Sequence, residues 1–528
     1  MRPPSLNRRL SMQREVKRRR PARLLSMRDA DGQVTSVPDQ KKLHCKEVAH
    51  SGPNLPEDIW CHIHALMPLR DFACSACVCR TFLYSWRCNP KLIFTEETLG
   101  LKQRKGQTND IARDFTSRVD CILKNHSGSG VKKLKLVVFD RYNVSTCHLN
   151  SWLEKAIVPG IEEVTILLPT KYRVEYNFPC SVLLNGRGNS IRFLDLASCA
   201  FRPQAGFDCS RSLRQLHLCE VCITGDELEC LISNSFSLEE LKLNQCDELI
   251  CLKIPFWLER LTCLSLFECR MLQVIESKAP NLSTFDFYGE PVQLSFGESS
   301  QVKNFRVDFS MGPNTFSYAI TKLPSITPHL ETLTLYSAYE RVNTPIVADK
   351  FLHLKYLMIY LTYGDEACVP PSYDYLSLAS FLNASPVLET FILSVDQKEM
   401  KHDSAFGDAS PKRQISEHKL DRLKKVQING FCSAKSMVEL TCHILENATS
   451  LESVTLDTIH DVYEGGNTVR CWGRKSGKCW PQSRHMILEG HKTISVIKRD
   501  ILGRVPSTVK LNIREPCTRC HAIDAKLL

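Results

Sequence analysis

The chain has 528 residues, 43% hydrophobic and 24% charged, which is enough apolar material for about two to four ordinary domains or one long repeat array. It holds no run of about eighteen apolar residues and no apolar stretch at its beginning, so neither a membrane span, a membrane partner nor a secretory signal is expected. The formal charge of +10 is unevenly held: residues 1–50 carry 13 Lys and Arg against 5 Asp and Glu, a balance of +8, and the other 478 carry only +2, which argues against nucleic acid as the partner of the body of the chain.

Residues 1–50 are polar, basic and aperiodic and read as a disordered tail. Within it Arg8-Arg9 and Lys17-Arg18-Arg19-Arg20-Pro21 resemble a nuclear import signal and read equally as a solvated basic tail. The expected location is accordingly the nucleus, the cytoplasm or both. Arg8-Arg9-Leu10-Ser11 is similar to a basophilic kinase site, where a phosphate would cancel part of the tail's charge.

Residues 55–86, LPEDIWCHIHALMPLRDFACSACVCRTFLYSW, predict a run of short helices. Pro56 suits a first helical position, because its missing N–H is not needed there. Glu57 and Asp58 place negative charge in the first turn, where the helix dipole favours it. Leu55, Ile59, Ile63 and Leu66 share one face by spacing, and Pro68 ends that helix. Leu69, Ala73, Ala76 and Cys77 continue the apolar spacing on a second helix, and Arg80, Phe82, Leu83 and Trp86 form a third element. So short a segment cannot bury enough surface to be stable alone. The order of Leu55-Pro56, the acidic pair, Ile59, the Leu66-Met67-Pro68-Leu69-Arg70-Asp71 corner, Cys77-Val78, Arg80 and Trp86 resembles the F-box. The resemblance implies docking on a Skp-type adaptor and, through it, on a cullin–RING ubiquitin ligase. Leu55, Pro56, Ile59, Ile63, Leu66, Pro68, Leu69, Arg70, Arg80 and Trp86 then become the candidate adaptor-binding residues, the apolar ones divided between docking and internal packing.

A helical linker or cap follows over residues 91–130, with Ile111, Phe115, Val119 and Ile122 on one face and Ser127-Gly128-Ser129-Gly130 at its end. Beyond it the chain repeats. A unit that is apolar at offsets 0, 3 and 5 starts at 131, 161, 191, 213, 238, 261, 282, 302, 330, 354, 388, 423 and 451, thirteen copies at steps of 20 to 35 residues. The mean step of about 27 residues and the L-x-x-L-x-L form resemble the leucine-rich repeat. Offsets 3 and 5 lie two apart and face one side of a strand, while residues between them, such as His217 and Lys242, face the other. Each unit buries only part of its apolar side, so stacked units share one continuous core. The resemblance implies parallel strands lining a concave face, which would carry His217, Lys242, Ser265 and Lys355 and take a protein target. Offset 8 is Cys199, Cys246 and Cys269, with Val221 beside Cys222 in a fourth copy, and these are read as inward packing residues.

The leucine-rich repeats are taken to run over 131–395, and residues 396–419 are read as a polar, mobile loop. Residues 420–458 predict strand, helix and strand, the helix burying Met437, Leu440, Ile444 and Leu445. Ile428-Asn429-Gly430-Phe431, Glu439-Leu440 and Glu446-Asn447-Ala448 resemble the FBD domain of plant F-box proteins, which would occupy 420–528; two more irregular repeats with a capping helix describe the same residues.

No phosphate loop, nucleophile elbow or paired-His metal motif occurs, and the 16 histidines single out no partner for a nucleophilic cysteine, so no catalytic residues and no cofactor are expected. The 25 cysteines, without a secretory signal, are expected reduced. Cys517-Thr518-Arg519-Cys520-His521 matches the haem-attachment pattern, but attachment of that type needs an exported protein and no export is expected here, so haem is not expected. No metal is expected; the looser alternative is zinc on Cys471, Cys479, Cys517 and Cys520, with His521 as a further donor.

The expected fold class is α/β: a short helical F-box, then a leucine-rich-repeat solenoid with parallel strands on its concave face and helices or irregular segments on its convex face. The expected function is the non-catalytic substrate receptor of an SCF-type ligase, with an interaction scaffold or nuclear regulator outside any ligase as the alternative.

Overall fold

The structure is a computed structural model. It describes residues 56, 59–60, 62–63, 66–67, 69–77, 80–101, 108–128, 130–204, 211–297, 301–309, 314–338, 340, 342–346, 349–362, 373–396, 402–407, 413, 419–458, 479 and 484–521. The chain divides into two compact units, Met1–Arg87 and Cys88–Leu528.

In the first unit, the Ile59 and Trp60 amides both donate to the Pro56 carbonyl, at 3.1 and 3.2 Å, so the proline opens a helical turn as its chemistry favours. Helices Leu69–Ala76 and Arg80–Arg87 follow and pack on each other. Phe72 and Ala76 are buried, and the Trp60 ring lies 4.9 Å from that of Phe82.

The second unit is built on a parallel sheet of fifteen strands among the described residues, from Lys91–Phe94 at one edge to Lys510–Arg514 at the other. Each of the thirteen repeat motifs supplies one strand, and the strands pair in register. At offset 3, Leu194, Leu216, Leu241, Leu264, Phe285, Phe305, Leu333, Leu357 and Phe391 stand in one unbroken column. All nine are at most 3% exposed. Removing each from water contributes roughly 1.5–3 kcal/mol, and only a neighbouring repeat can complete the burial.

Two strands escape the repeat pattern for one reason. Leu92 and Phe94, and Leu511 and Ile513, keep offsets 3 and 5, but offset 0 is Asn89 in the first and Thr508 in the second. Asn89 is buried and its Oδ1 accepts the Lys91 amide at 2.9 Å, replacing apolar packing by a turn bond. The segment read as helical linker thus also supplies the sheet's first strand, ahead of the helix Thr108–Asn125. The strands Lys425–Asn429, Ser453–Asp457 and Lys510–Arg514 continue the same sheet.

Step length decides what covers the back of the sheet. Intervals of 25, 28, 28 and 30 residues carry the helices Gly225–Ile232, Thr315–Ile326, Lys435–Asn447 and Thr146–Ala156. Intervals of 23, 21 and 20 residues carry the strands Cys251–Ile254, Val274–Ser277 and Gln293–Phe296, which form a second parallel sheet that the sequence reading did not foresee. An eight-residue helix covers about 12 Å and a four-residue strand about 13 Å, so a short repeat returns along the sheet only by extending. The helix Gly225–Ile232 also has a local start signal: Thr224 and Glu227 form a reciprocal capping box.

Ser198, Glu220, Gln245 and Glu268, all at offset 7, hold left-handed backbone with φ of 49° to 55°. Their amides extend the strand ladder by one bond, at 2.9, 2.7, 2.7 and 2.6 Å. The turn sends the next residue inward, and Cys199, Val221, Cys246 and Cys269 are buried there. Burial pushes the Cys199 thiol up to about 12, which keeps it protonated and inert.

Within the stretch read as a mobile polar loop, the described residues are anchored. Ala405 is buried and its amide donates to the Ser433 carbonyl at 2.7 Å. The Arg413 guanidinium forks onto Asp374 at 2.8 and 2.9 Å and onto buried Glu439 at 2.9 Å. A buried carboxylate left without that cation would be costly, which holds this part of the loop down.

Because the core is shared between neighbours, Leu264→Ala, at a fully buried position, should cost about 2–5 kcal/mol. Amide exchange should rise most in the two flanking strands, Glu240–Asn244 and Thr284–Tyr288, and little at the far edges of the sheet.

Candidate docking surfaces

The F-box unit divides its apolar residues clearly. Ile59, Ile63 and Leu66 are 41%, 38% and 70% exposed, whereas Phe72 is 1% exposed. Pro56 is exposed and Trp86 half-buried. Leu69 and Arg70 lie in the helix Leu69–Ala76, and Arg80 opens the helix Arg80–Arg87. Exposed Leu83 and Tyr84 add an apolar face on that helix which the sequence reading did not assign to docking. Leu55 and Pro68 lie outside the described residues, as do Lys17, Arg18, Arg19, Arg20 and Cys471.

On the second unit, the open face of the sheet is formed by the residues that alternate with the buried column. His217 is on it, its ring 5.1 Å from that of Phe193 and its Nε2 3.5 Å from Glu240. Lys242 pairs with the same Glu240, and Ser265 donates to Asp286 at 3.3 Å. Lys355 is instead at the rim, one residue before its strand, where it meets Glu331 at 3.0 Å.

That rim is a ladder of offset-1 charges. Lys132 and Arg192 flank Glu162 at 2.9 and 3.8 Å, Lys303 and Lys355 flank Glu331 at 3.2 and 3.0 Å, and Lys424 meets Glu389 at 3.0 Å. The lysine hydrogen bonds hold the carboxyls of Glu162, Glu331 and Glu389 below their usual range. Exposed pairs of this kind add little stability each, but they neutralise the rim. A shallow groove of about 570 Å³ beside it is lined by Lys133, Lys135, Glu163, Arg192, Phe193 and Asp195 among others, again with both signs of charge.

A different surface appears at offset 6. Phe267, Tyr288, Asp308, Tyr336 and Tyr360 stand side by side in register across five strands. Phe267 stacks on Tyr288 at 4.3 Å, and Tyr336 on Tyr360 at 4.5 Å, nearly parallel in both cases. Asp308 sits between the two stacks, and burial pushes its carboxyl up to about 7. Other charges on this part of the face are Asp286 and Arg306, which are register partners. The stripe is two aromatic stacks with one carboxyl between them. Its members lie 20 or more residues apart in sequence, so no linear motif marks it; reading offset 6 down the aligned repeats does.

At the far end of the chain, Cys479, Cys517 and Cys520 come together, with sulfurs within 4.8 Å of one another. Among the described residues no helix is long and apolar enough to cross a membrane.

Residues 53–93 match the F-box domain, and residues 122–518, about three quarters of the chain, match the family described as At1g61320/AtMIF1, LRR domain. The chain belongs to that leucine-rich-repeat family and carries an F-box ahead of the repeats. Among Arabidopsis thaliana relatives, F-box/FBD/LRR-repeat protein At1g13570 is 22% identical over 77% of this chain and 90% of its own length. F-box/LRR-repeat protein At3g58940 is 24% identical over 21% of this chain, and the match spans only 18% of that protein. Of solved structures, an internalin from Listeria monocytogenes aligns over 68% of this chain and 94% of its own, at 12% identity and a TM-score of 0.30.

The Asp308 shift has a measurable sign. The unfolded chain releases this proton near pH 4 and the folded chain near 7, so the stability it contributes is full below about pH 4 and lost as pH rises through 7. Asp308→Asn should therefore gain on the wild type by the order of 1–3 kcal/mol between pH 4 and pH 8, measured by denaturant unfolding at both ends.

Proposed function

We propose that this chain is the non-catalytic substrate receptor of an SCF-type cullin–RING ubiquitin ligase. The observation that carries the reading is the exposed apolar row Ile59, Ile63 and Leu66 on the F-box domain, three side chains left to solvent in a unit that buries Phe72. A row of that kind fits a partner surface, and a Skp-type adaptor is the partner of the F-box fold. Leu55, Pro56, Pro68, Leu69, Arg70, Arg80 and Trp86 complete the docking set. The repeats, with the FBD-like residues 420–528 as their continuation, form the target arm. Rate enhancement then comes from proximity: the receptor raises the effective concentration of the target beside the ubiquitin-loaded enzyme.

The target is a protein that presents a Lys or Arg side chain to the stripe around Asp308. A cation over stacked Tyr rings with a carboxylate beside it gains both cation–π and ionic attraction, and the desolvated carboxyl becomes fully ionised once the cation arrives. The self-paired rim offers no such imbalance. The basic run Lys17–Arg20 acts as an import signal on this reading, and deleting residues 1–50 should reduce nuclear accumulation of a tagged chain.

Two double variants divide the two ends. Ile63→Asp with Leu66→Asp should weaken co-precipitation with Skp-type adaptors at least about tenfold and leave unfolding of the repeat unit unchanged. Unchanged adaptor binding would overturn the docking face, and no adaptor binding by the wild-type chain would leave an interaction scaffold outside any ligase. Tyr336→Ala with Tyr360→Ala should keep the adaptor but lose the proteins that accumulate on the wild-type receptor under proteasome inhibition, read by proximity-labelling mass spectrometry. An unaltered protein set would remove the stripe from the target arm.

A further inference from the structure

We propose that Cys479, Cys517 and Cys520 form a zinc-binding site that clamps the last repeat of the solenoid. The three sulfurs lie within 4.8 Å of one another, although Cys479 and Cys520 are 41 residues apart in sequence. Tetrahedral zinc with Zn–S bonds of about 2.3 Å sets sulfurs about 3.8 Å apart, so the thiols need to close by an ångström or less. Cys479 is buried, and Cys517 and Cys520 are partly so.

Two backbone amides already point at the sulfurs: the Cys520 N–H donates to Cys517 Sγ at 3.4 Å, and the Cys479 N–H to Cys520 Sγ at 3.5 Å. Amide donors in those positions fix where the two sulfurs sit, and a metal-bound sulfur can go on accepting them. The Cys517 amide in turn donates to His521 Nδ1 at 3.3 Å, which closes the Cys517-x-x-Cys520 turn on itself. Three thiolates leave one position of a tetrahedral ion for a further donor. Soft sulfur ligands select zinc over the hard divalent ions.

The same C-x-x-C spacing elsewhere lacks this convergence. Cys74 and Cys77 are exposed at the end of one helix, and Cys219 and Cys222 belong to the repeat turn.

The position explains the use. Cys479 precedes the helix Arg484–Val496, and Cys517 and Cys520 follow the strand Lys510–Arg514, the outermost strand of the sheet. Leu511 and Ile513 on that strand are only half-buried, unlike their counterparts in the interior repeats. A terminal repeat has a neighbour on one side only and needs a cap. A metal joining the segment before the last helix to the segment after the last strand ties both to the end of the array.

The test uses the purified full chain, kept reduced. Elemental analysis should find about one zinc per chain after dialysis, and replacement by Co²⁺ should produce thiolate-to-cobalt charge-transfer bands. Cys517→Ser with Cys520→Ser should lose both, while Cys74→Ser with Cys77→Ser should keep both. To separate loss of metal from loss of the cap's own packing, chelation of the wild-type chain provides a second readout: amide exchange should rise in Lys510–Arg514 at least tenfold and stay unchanged in Leu216–Cys219. The proposal fails if the reduced wild-type chain supplied with zinc carries well under 0.1 equivalent, a threshold of about one part in ten, if the cobalt bands survive loss of Cys517 and Cys520, or if chelation leaves exchange in the last strand unaltered.

Discussion

The contact on which everything else rests is the in-register column of apolar side chains that each strand shares with the next. No repeat can bury Leu216 or Leu264 alone; burial is complete only when the strands on both sides are in place. That requirement fixes the parallel register. The register in turn aligns every other offset: charges at offset 1, open-face residues at offsets 2, 4 and 6, left-handed turns at offset 7 and inward cysteines at offset 8. The surface features of the repeat unit are thus consequences of the core's periodicity.

The columns differ in chemistry, and the difference sorts their roles. The offset-1 rim pairs Lys and Arg with Glu on either side of an uncharged break at Thr262 and Ser283, so its charges satisfy one another and leave little net field. The offset-6 column collects aromatic rings around Asp308, whose carboxyl is raised by burial between its register neighbours Tyr288 and Tyr336. A surface holding an uncompensated polar group amid aromatic area has more to gain from a partner than one already neutralised. The same reasoning applies to the F-box, where Phe72 is inside and Leu66 is left to solvent.

Much of the architecture was legible in the chain. Thirteen strands follow from the offsets 0, 3 and 5, because a two-residue alternation can face a core in only one way. The two edge strands were hidden because Asn89 and Thr508 stand at offset 0, where an apolar residue marks the other repeats; Asn89 makes a turn bond there and Thr508 is exposed. The second sheet was hidden because short apolar runs such as Cys251–Ile254 do not distinguish strand from helix; the step length does, through the distance the chain has to cover. Of the candidate docking residues, Ile59, Ile63 and Leu66 could be placed on one helical face, but their division from Phe72 required packing partners. Arg413 read as loop polarity, and only the fold reveals that its guanidinium meets Asp374 and Glu439.

By itself the sequence determined the repeat, its register and the helical handle ahead of it, since these depend on periodicity and on local start and stop signals, which are properties of neighbouring residues. The tertiary structure alone decided which distant residues meet: the aromatic stripe around Asp308, the anchoring of the loop by Arg413, and the approach of Cys479 to Cys517 and Cys520. The physical reason is that a solenoid converts one sequence offset into one spatial column, so its surfaces are assembled from residues a full repeat or more apart, and their chemistry emerges only when the repeats are stacked.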